Sequence, residues 1–293
     1  MNQVRLSRDE RFALSCSSDR TLRLWSTRRS ASDAALLATY AGGHGYEVLD
    51  VAIALDNSQF VSVGGDRAAL LWDVTSARVL RRLAGGHLQR IQCVALSDDG
   101  ALLCTGSDDT HVRLWDLRAA PSGKSAQVLC EARDAVTGVR LDGHEIMAAS
   151  ADGAIRTYDV RAGELRTDAV GVPIACIGLT CDRQCTLAAC LDDTVRLIDK
   201  PSGELLQSYR GHANHRFRTG ACVSPDDALV IAGSEDGSVY VWDLVESELV
   251  ARVEAHTAPV TTCVALKSDA APFALLTASA DTDIKFFTYR APR

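Results

Sequence analysis

Histidine, a hydroxyl residue and aspartate recur together along this chain, and they are the side chains of a hydrolytic triad. His44, Ser62 and Asp66 form one set, completed by Trp72. His87, Thr105 and Asp109 form another, completed by Trp115. Nucleophilic catalysis needs one such constellation, a base poised on one hydroxyl. Here the set is stamped out twice with the same 28-residue interval from histidine to tryptophan, and partial copies stand in the first, sixth and seventh repeats. A repeat needs one copy per unit, so the expected role is structural. A buried indole N–H must find an acceptor. The Ser or Thr hydroxyl can accept it and pass a bond to the imidazole, whose other nitrogen donates to the aspartate. Such a chain pins a loop to a turn, with about 1.5–3 kcal/mol in a bond to a charged group.

Other potential chemistry is weaker. No helix follows Gly64-Gly65 or Gly86-His87, so neither reads as a phosphate loop. His111, His144 and His215 stand alone as surface-loop residues. The ten cysteines contain no CxxC pair, and Cys181, Cys185 and Cys190 have no histidine at a zinc-like spacing. They read as free thiols buried like small hydrophobes. No catalytic residue, metal or cofactor is expected.

The elements that would position these residues are short strands. Asp19, Asp66, Asp109, Asp152, Asp192, Asp236 and Asp281 each stand six residues before the end of an apolar run, at Trp25, Trp72, Trp115, Tyr158, Ile198, Trp242 and Phe287. The run ends are spaced by 47, 43, 43, 40, 44 and 45 residues, the period of a four-stranded propeller blade. A Gly-His or Ala-His marker precedes four of them, at His44, His87, His212 and His256. Runs such as Val48 to Ala54 and Gln59 to Gly64 are rich in Val, Ile and Leu. Asp, Asn, Ser and Gly separate them at 55–58, 97–100 and 224–227. The expected fold is all-β: one seven-bladed β-propeller over 1–293, with blades near 3–40, 48–83, 91–131, 136–168, 174–209, 217–253 and 260–289. The last blade offers Val260 to Leu266, Phe273 to Ala280 and Asp283 to Tyr289 and no outer strand. Either it has three strands or an upstream strand is missing. The second is expected, because an open edge at 284–287 invites aggregation.

A net charge of −7 argues against a general binder of nucleic acid or anionic membrane. No apolar run reaches the length of a membrane span, and residues 1–11 lack the apolar core of a signal peptide. The expectation is a protein of cytoplasm and nucleus, present as a single copy within larger complexes. It would take no small-molecule substrate, no specific nucleic acid sequence and no membrane.

Gly-His spaced from Trp-Asp over the whole chain resembles the WD-repeat family. The segments at 44–50, 131–134, 184–187, 197–206 and 234–246 further resemble WD-repeat scaffolds that organise mitogen-activated protein kinase cascades and associate with catalytically active spliceosomes. The resemblance implies a non-catalytic protein scaffold, with splicing favoured over signalling. Propellers of this type bind partners on the face carrying the Gly-His loops and aspartate turns. That selects Tyr46, Glu47, Asp50, Arg90 and Asp108, and then His215, Arg216, Arg218 and Glu235. Trp115-Asp116-Leu117-Arg118 also resembles the box by which some WD proteins dock on a cullin-RING adaptor, with a weaker copy at Tyr158 to Arg161. The alternative it implies is a ubiquitin-ligase substrate receptor.

Overall fold

The computed structural model describes residues 1–27, 35–119, 124–267 and 273–289. Residues 28–34 of the expected first blade, 120–123 of the third and 268–272 of the seventh lie outside this set. Every helix or strand among the described residues is a strand. The strands form seven antiparallel sheets spanning 3–40, 48–83, 91–129, 136–169, 174–210, 221–254 and 260–289. Each strand pairs with its neighbours in sequence; six sheets have four strands and the seventh has three. This is the seven-bladed β-propeller fold, and the sheets are called blades one to seven.

Blade six starts at Ala221, later than the 217 expected from the sequence. The backbone ahead of it is already engaged. The Glu235 carboxylate accepts the amides of His215, Arg216 and Phe217 at 2.7, 2.5 and 2.9 Å. Amides spent on a side chain cannot enter a ladder.

Two kinds of irregularity recur. The inner strand of blades two, three, four, five and seven slips register near its start, at Val48/Asp50, Ile91/Cys93, Val136/Gly138, Ile174/Cys176 and Val260/Thr262. The outer strand of blades two, five and six slips near its own start, leaving Leu80, Leu206 and Val250 as the extra residue. Such bulges bend a strand and re-aim its side chains.

The chain forms two compact units, one from 1–4 and Ile174 onward, the other from Arg5–Trp25 and Leu36–Pro173. In the second unit each core cluster lies between successive blades. One joins Leu14 and Tyr40 to Val51, Phe60 and Trp72; another joins Val61 and Leu83 to Val94 and Trp115. Phe60 stacks on Trp72 with centroids 5.8 Å apart, and Tyr40 meets Phe60 edge-on at 4.8 Å. Aromatic pairs of this kind contribute about 0.5–1.5 kcal/mol beyond their area. The Tyr40 hydroxyl donates to the Val74 carbonyl at 3.1 Å. The other unit repeats the device: Tyr209 packs on Trp242 and donates to the Leu244 carbonyl at 2.6 Å.

Candidate protein-interaction face

In blades three, four and seven the turn aspartate accepts an amide of the loop that precedes the inner strand, from Leu88, Arg133 and Thr257. In blade three the Trp115 Nε1–H donates to Thr105 Oγ1 at 2.9 Å, and Thr105 Oγ1 lies 2.9 Å from His87 Nε2. The Thr105 proton is then directed at Nε2, which leaves the imidazole proton on Nδ1, 3.0 Å from Asp109 Oδ2. The imidazole is neutral in this arrangement, and burial pushes the His87 pKa below its ordinary value despite the neighbouring carboxylate. Burial pushes the Asp109 carboxyl up, but the amides of Leu88 and His111 and the His87 imidazole hold it below the usual range. Thr105 is buried and its oxygen is occupied by the indole, so it offers no nucleophile to solvent. Gly86 is required here: a Cβ would stand 2.6 Å from the Trp115 ring.

Blade two is built alike. Trp72 Nε1 donates to Ser62 Oγ at 2.8 Å, and Ser62 Oγ lies 2.6 Å from His44 Nε2. His44 Nδ1 stands 3.1 Å from Asp66 Oδ1 without the alignment of a hydrogen bond. Blade seven keeps His256 between Thr277 and Asp281, both at 2.9 Å, with Phe287 where the tryptophan would be.

Blades one, four and five have no such histidine, and arginine takes its place. Four residues beyond the aspartate stand Arg23, Arg156 and Arg196. Arg23 meets Asp19 at 2.9 Å. Arg156 grips both Asp152 oxygens at 2.8 and 3.2 Å and donates to Ser150 Oγ at 2.8 Å. Arg196 grips Asp192 at 2.6 and 3.0 Å. Burial opposes ionisation of Asp152, but the bonds from Arg156 and Ser150 outweigh it and bring the carboxyl down to about 2. The sequence reading noted the aspartates and missed these partners, although their fixed spacing was visible.

Blade six departs from both designs and corrects the expectation of a partial triad there. Ala232 stands where the hydroxyl residue would be. Trp242 Nε1 donates instead to the Arg210 carbonyl at 3.1 Å. His212 is buried with no hydrogen-bond partner on either nitrogen, edge-on to Trp242 at 5.4 Å. Asp236 is taken by the Tyr240 hydroxyl and Arg252, each at 3.0 Å.

On these fastened loops, the second unit gathers Tyr46, Glu47, Arg90 and Asp108. Arg90 Nε donates to Asp108 Oδ2 at 2.5 Å and its Nη1 lies 3.8 Å from Glu47 Oε1. Gln92 donates to the other Asp108 oxygen at 2.9 Å. Tyr46 and Leu88 project beside them, 66% and 77% exposed. Leu88 was not selected from the sequence; its signal was an apolar residue directly after the Gly-His marker. Asp50 is a correction. It is fully buried, accepts the Val94 amide at 3.1 Å and meets Arg5 at 3.4 Å, so it joins strands instead of facing a partner. It was counted from the histidine marker, but the strand begins at Val48 and carries it inward.

In the other unit, Glu235 is also corrected: its carboxylate is spent on three loop amides. His215, Arg216 and Phe217 are exposed above it, with His215 Nε2 3.2 Å from Asp193 Oδ2, and Arg218 is half-buried. His144 lies 3.3 Å from Asp159, and His111 bonds the Asp109 carbonyl. Six cysteines are buried, whereas Cys130 and Cys181 are exposed. Among the described residues no three His, Cys, Asp or Glu side chains gather as a metal site.

The model of the WD domain, G-beta repeat, family matches residues 1–26, 35–73, 78–116 and 203–243. Blades four and seven and the first three strands of blade five, whose run ends are Tyr158, Phe287 and Ile198, fall outside those matches but have the same meander of strands. The chain is 51% identical to rat WD repeat domain-containing protein 83 over 246 residues, 84% of this chain and 76% of that one. The human protein of the same name is also 51% identical, with the same coverage. An uncharacterized WD repeat-containing protein of Schizosaccharomyces pombe is 38% identical over 96% of this chain and 92% of its own length.

Proposed function

The chain belongs to the WD-repeat family, and from that premise we propose that it is a non-catalytic scaffold for components of the splicing machinery, with a kinase cascade as a second clientele. The observation that carries the scaffold reading is the rigid loop face, where exposed Tyr46 and Leu88 flank an Arg90 already oriented by Asp108 and Glu47. Tyrosine and arginine are the types that concentrate binding energy, and loops on a rigid frame are where partners dock. Ser62 and Thr105 are buried and bonded to an indole, so neither hydroxyl is offered to solvent as a nucleophile. The choice of splicing rests on the sequence resemblance.

The test is affinity purification of the tagged protein from nuclear and cytoplasmic extracts, with a variant carrying Arg90→Glu and Arg216→Glu. The expected result is recovery of splicing components from the nuclear extract and a loss of about tenfold with the variant at unchanged melting temperature. Equal capture by the variant would sink the choice of face, and recovery without splicing components would sink the choice of partner. The ubiquitin-ligase reading stays as a second proposal because the Arg118 side chain is exposed, and it meets Asp99. It predicts binding to a cullin-RING adaptor that Arg118→Ala abolishes.

A further inference from the structure

Blades one and two leave a cleft at the end of their strands away from the loop face. Phe12, Leu14 and Leu24 of blade one and Ile53, Phe60 and Val74 of blade two wall a cavity of about 140 Å³ there. The wall is almost wholly apolar. Leu14 and Phe60 are fully buried and form its floor. Phe12, Leu24, Ile53 and Val74 are half-buried, so the cavity opens to solvent and is no sealed void. At its margin, Ser7 spends its hydroxyl inside its own turn: it donates to Asp9 Oδ1 at 2.7 Å and accepts the Phe12 amide at 3.0 Å.

This lining is not a property of the repeat. In the matching cleft of blades two and three, Leu71, Leu96 and Leu117 stand where Leu24, Ile53 and Val74 do. There Gln59 has the place of Phe12, and Asp56, Asp98 and Asp99 line a cavity of about 270 Å³. Between blades five and six the turns are tied together, because Asp227 accepts the amides of Cys181 and Asp182 at 2.8 and 3.0 Å. Asn57 has the place of Asp227. Each has a positive φ and closes its turn by donating its amide to the carbonyl three residues before. Asn57 Oδ1 accepts no hydrogen bond, so the cleft between blades one and two has no such tie across it.

We infer that this cleft is an anchor pocket for one aromatic side chain of a partner protein. Volume selects the occupant. An apolar cavity of this size takes a single benzene ring. A site that encloses a whole cofactor or metabolite runs to about 300–1,000 Å³. A ring carried on a peptide needs no such room, because its backbone stays outside, and aromatic anchors in desolvated pockets concentrate binding energy. Phe12 and Phe60 in the wall add ring–ring contact to the burial of apolar area. Residues 28–34 of the chain itself, which follow the third strand of blade one, hold no aromatic or branched aliphatic side chain to fill the pocket. The pocket stands at the other end of the strands from the loops of Tyr46 and Arg90. Its test is therefore independent of the scaffold face proposed above.

The experiment uses the full chain with carbon-13 labels on its Ile, Leu and Val methyls, followed by NMR. The probes are toluene, a free ring, and N-acetyl-phenylalanine methylamide, the same ring on a backbone. N-acetyl-alanine methylamide is the control. Both aromatic probes should shift the methyls of Leu14, Leu24, Ile53 and Val74 with a Kd on the order of 1 mM, and the alanine compound should leave them in place. Leu24→Trp, which fills the cavity from within, should weaken both at least about tenfold, and Arg90→Glu should change neither. Ile53→Phe fills the same space and decides the matter if Leu24→Trp disturbs folding. Binding of toluene without the capped phenylalanine would reveal a packing void that no partner side chain enters, and would overturn the inference. So would shifts that survive both filling variants, or equal shifts with the alanine compound. Self-association in sedimentation that Leu24→Trp abolishes would assign the pocket to a second copy of the chain and overturn it as well.

Discussion

In blade three Asp109 is held by His87, which reaches it from a loop more than twenty residues earlier. In blade four Asp152 is held by Arg156, four residues along its own chain segment. The two aspartates stand at the same place in the repeat and do the same work, receiving a loop amide from Leu88 or Arg133 at 2.8 Å. The difference teaches what the repeat requires at this point: an ionised carboxylate with an obligate donor. The imidazole fastens a distant segment directly but is neutral and titratable. The guanidinium is permanently charged and fastens only its own turn, leaving the loop to the backbone amide.

The largest expected effect comes from removing the charged donor. Arg156→Ala leaves Asp152 without its cation in a site where both side chains are nearly buried, and the cost should be about 3–5 kcal/mol in urea unfolding. Asp109→Asn replaces a carboxylate by a group that presents N–H or C=O to a donor. It should cost about 1.5–3 kcal/mol. If the two losses are equal, the guanidinium and imidazole designs are energetically the same and the distinction fails.

Acidity separates the designs by sign and range. The folded His87 has a pKa below its ordinary value, so below about pH 6.5 the unfolded chain binds more protons and stability falls until the folded imidazole titrates as well. Asp152, held at about 2 against an ordinary 3.8, contributes about 2 kcal/mol at neutral pH. That contribution is lost only as pH falls from about 4 to about 2. Amide exchange reads this directly: between pH 7 and 5, after correction for intrinsic rates, protection of Leu88 should drop while that of Arg133 holds. Parallel behaviour of the two amides would show that the donors are not independent. The smallest effect is a repair. Ala232→Ser gives His212 and Trp242 the hydroxyl that blades two and three possess, and it should add about 1 kcal/mol to stability. A loss would show that the buried alanine is sterically required.

The spacing of the seven aspartates made the blade count legible, because one residue type at a fixed phase survives where Trp, His and hydroxyl residues drift. The arginines four residues on were equally legible and were passed over, since a search for histidine stops where histidine is absent. Asp50 and Glu235 could not be placed by spacing. One is turned inward because its strand starts two residues earlier, and the other is turned back by three amides that no pattern of side chains announces. The bulges at Leu206 and Val250 leave no compositional mark, so the paired exposed aliphatics at 205–206 and 249–250 read in the sequence as ordinary strand.

Most pairings here are local, each strand meeting the next along the chain. The contact between the Thr262 hydroxyl and the Gln3 side chain is not, since the two are 259 positions apart in the chain. On the ribosome, the segment from Arg5 to Pro173 can complete its unit while the rest is still being made. Gln3 and Val4 can pair at once with the strand at Phe12–Cys16, but the contacts of Met1 with the Ser279 carbonyl and of Gln3 with Thr262 must wait until the polypeptide past those residues has emerged. Assembly of this protein is therefore expected to be biphasic, with an early chain-local stage and a late stage limited by the return of its first few residues.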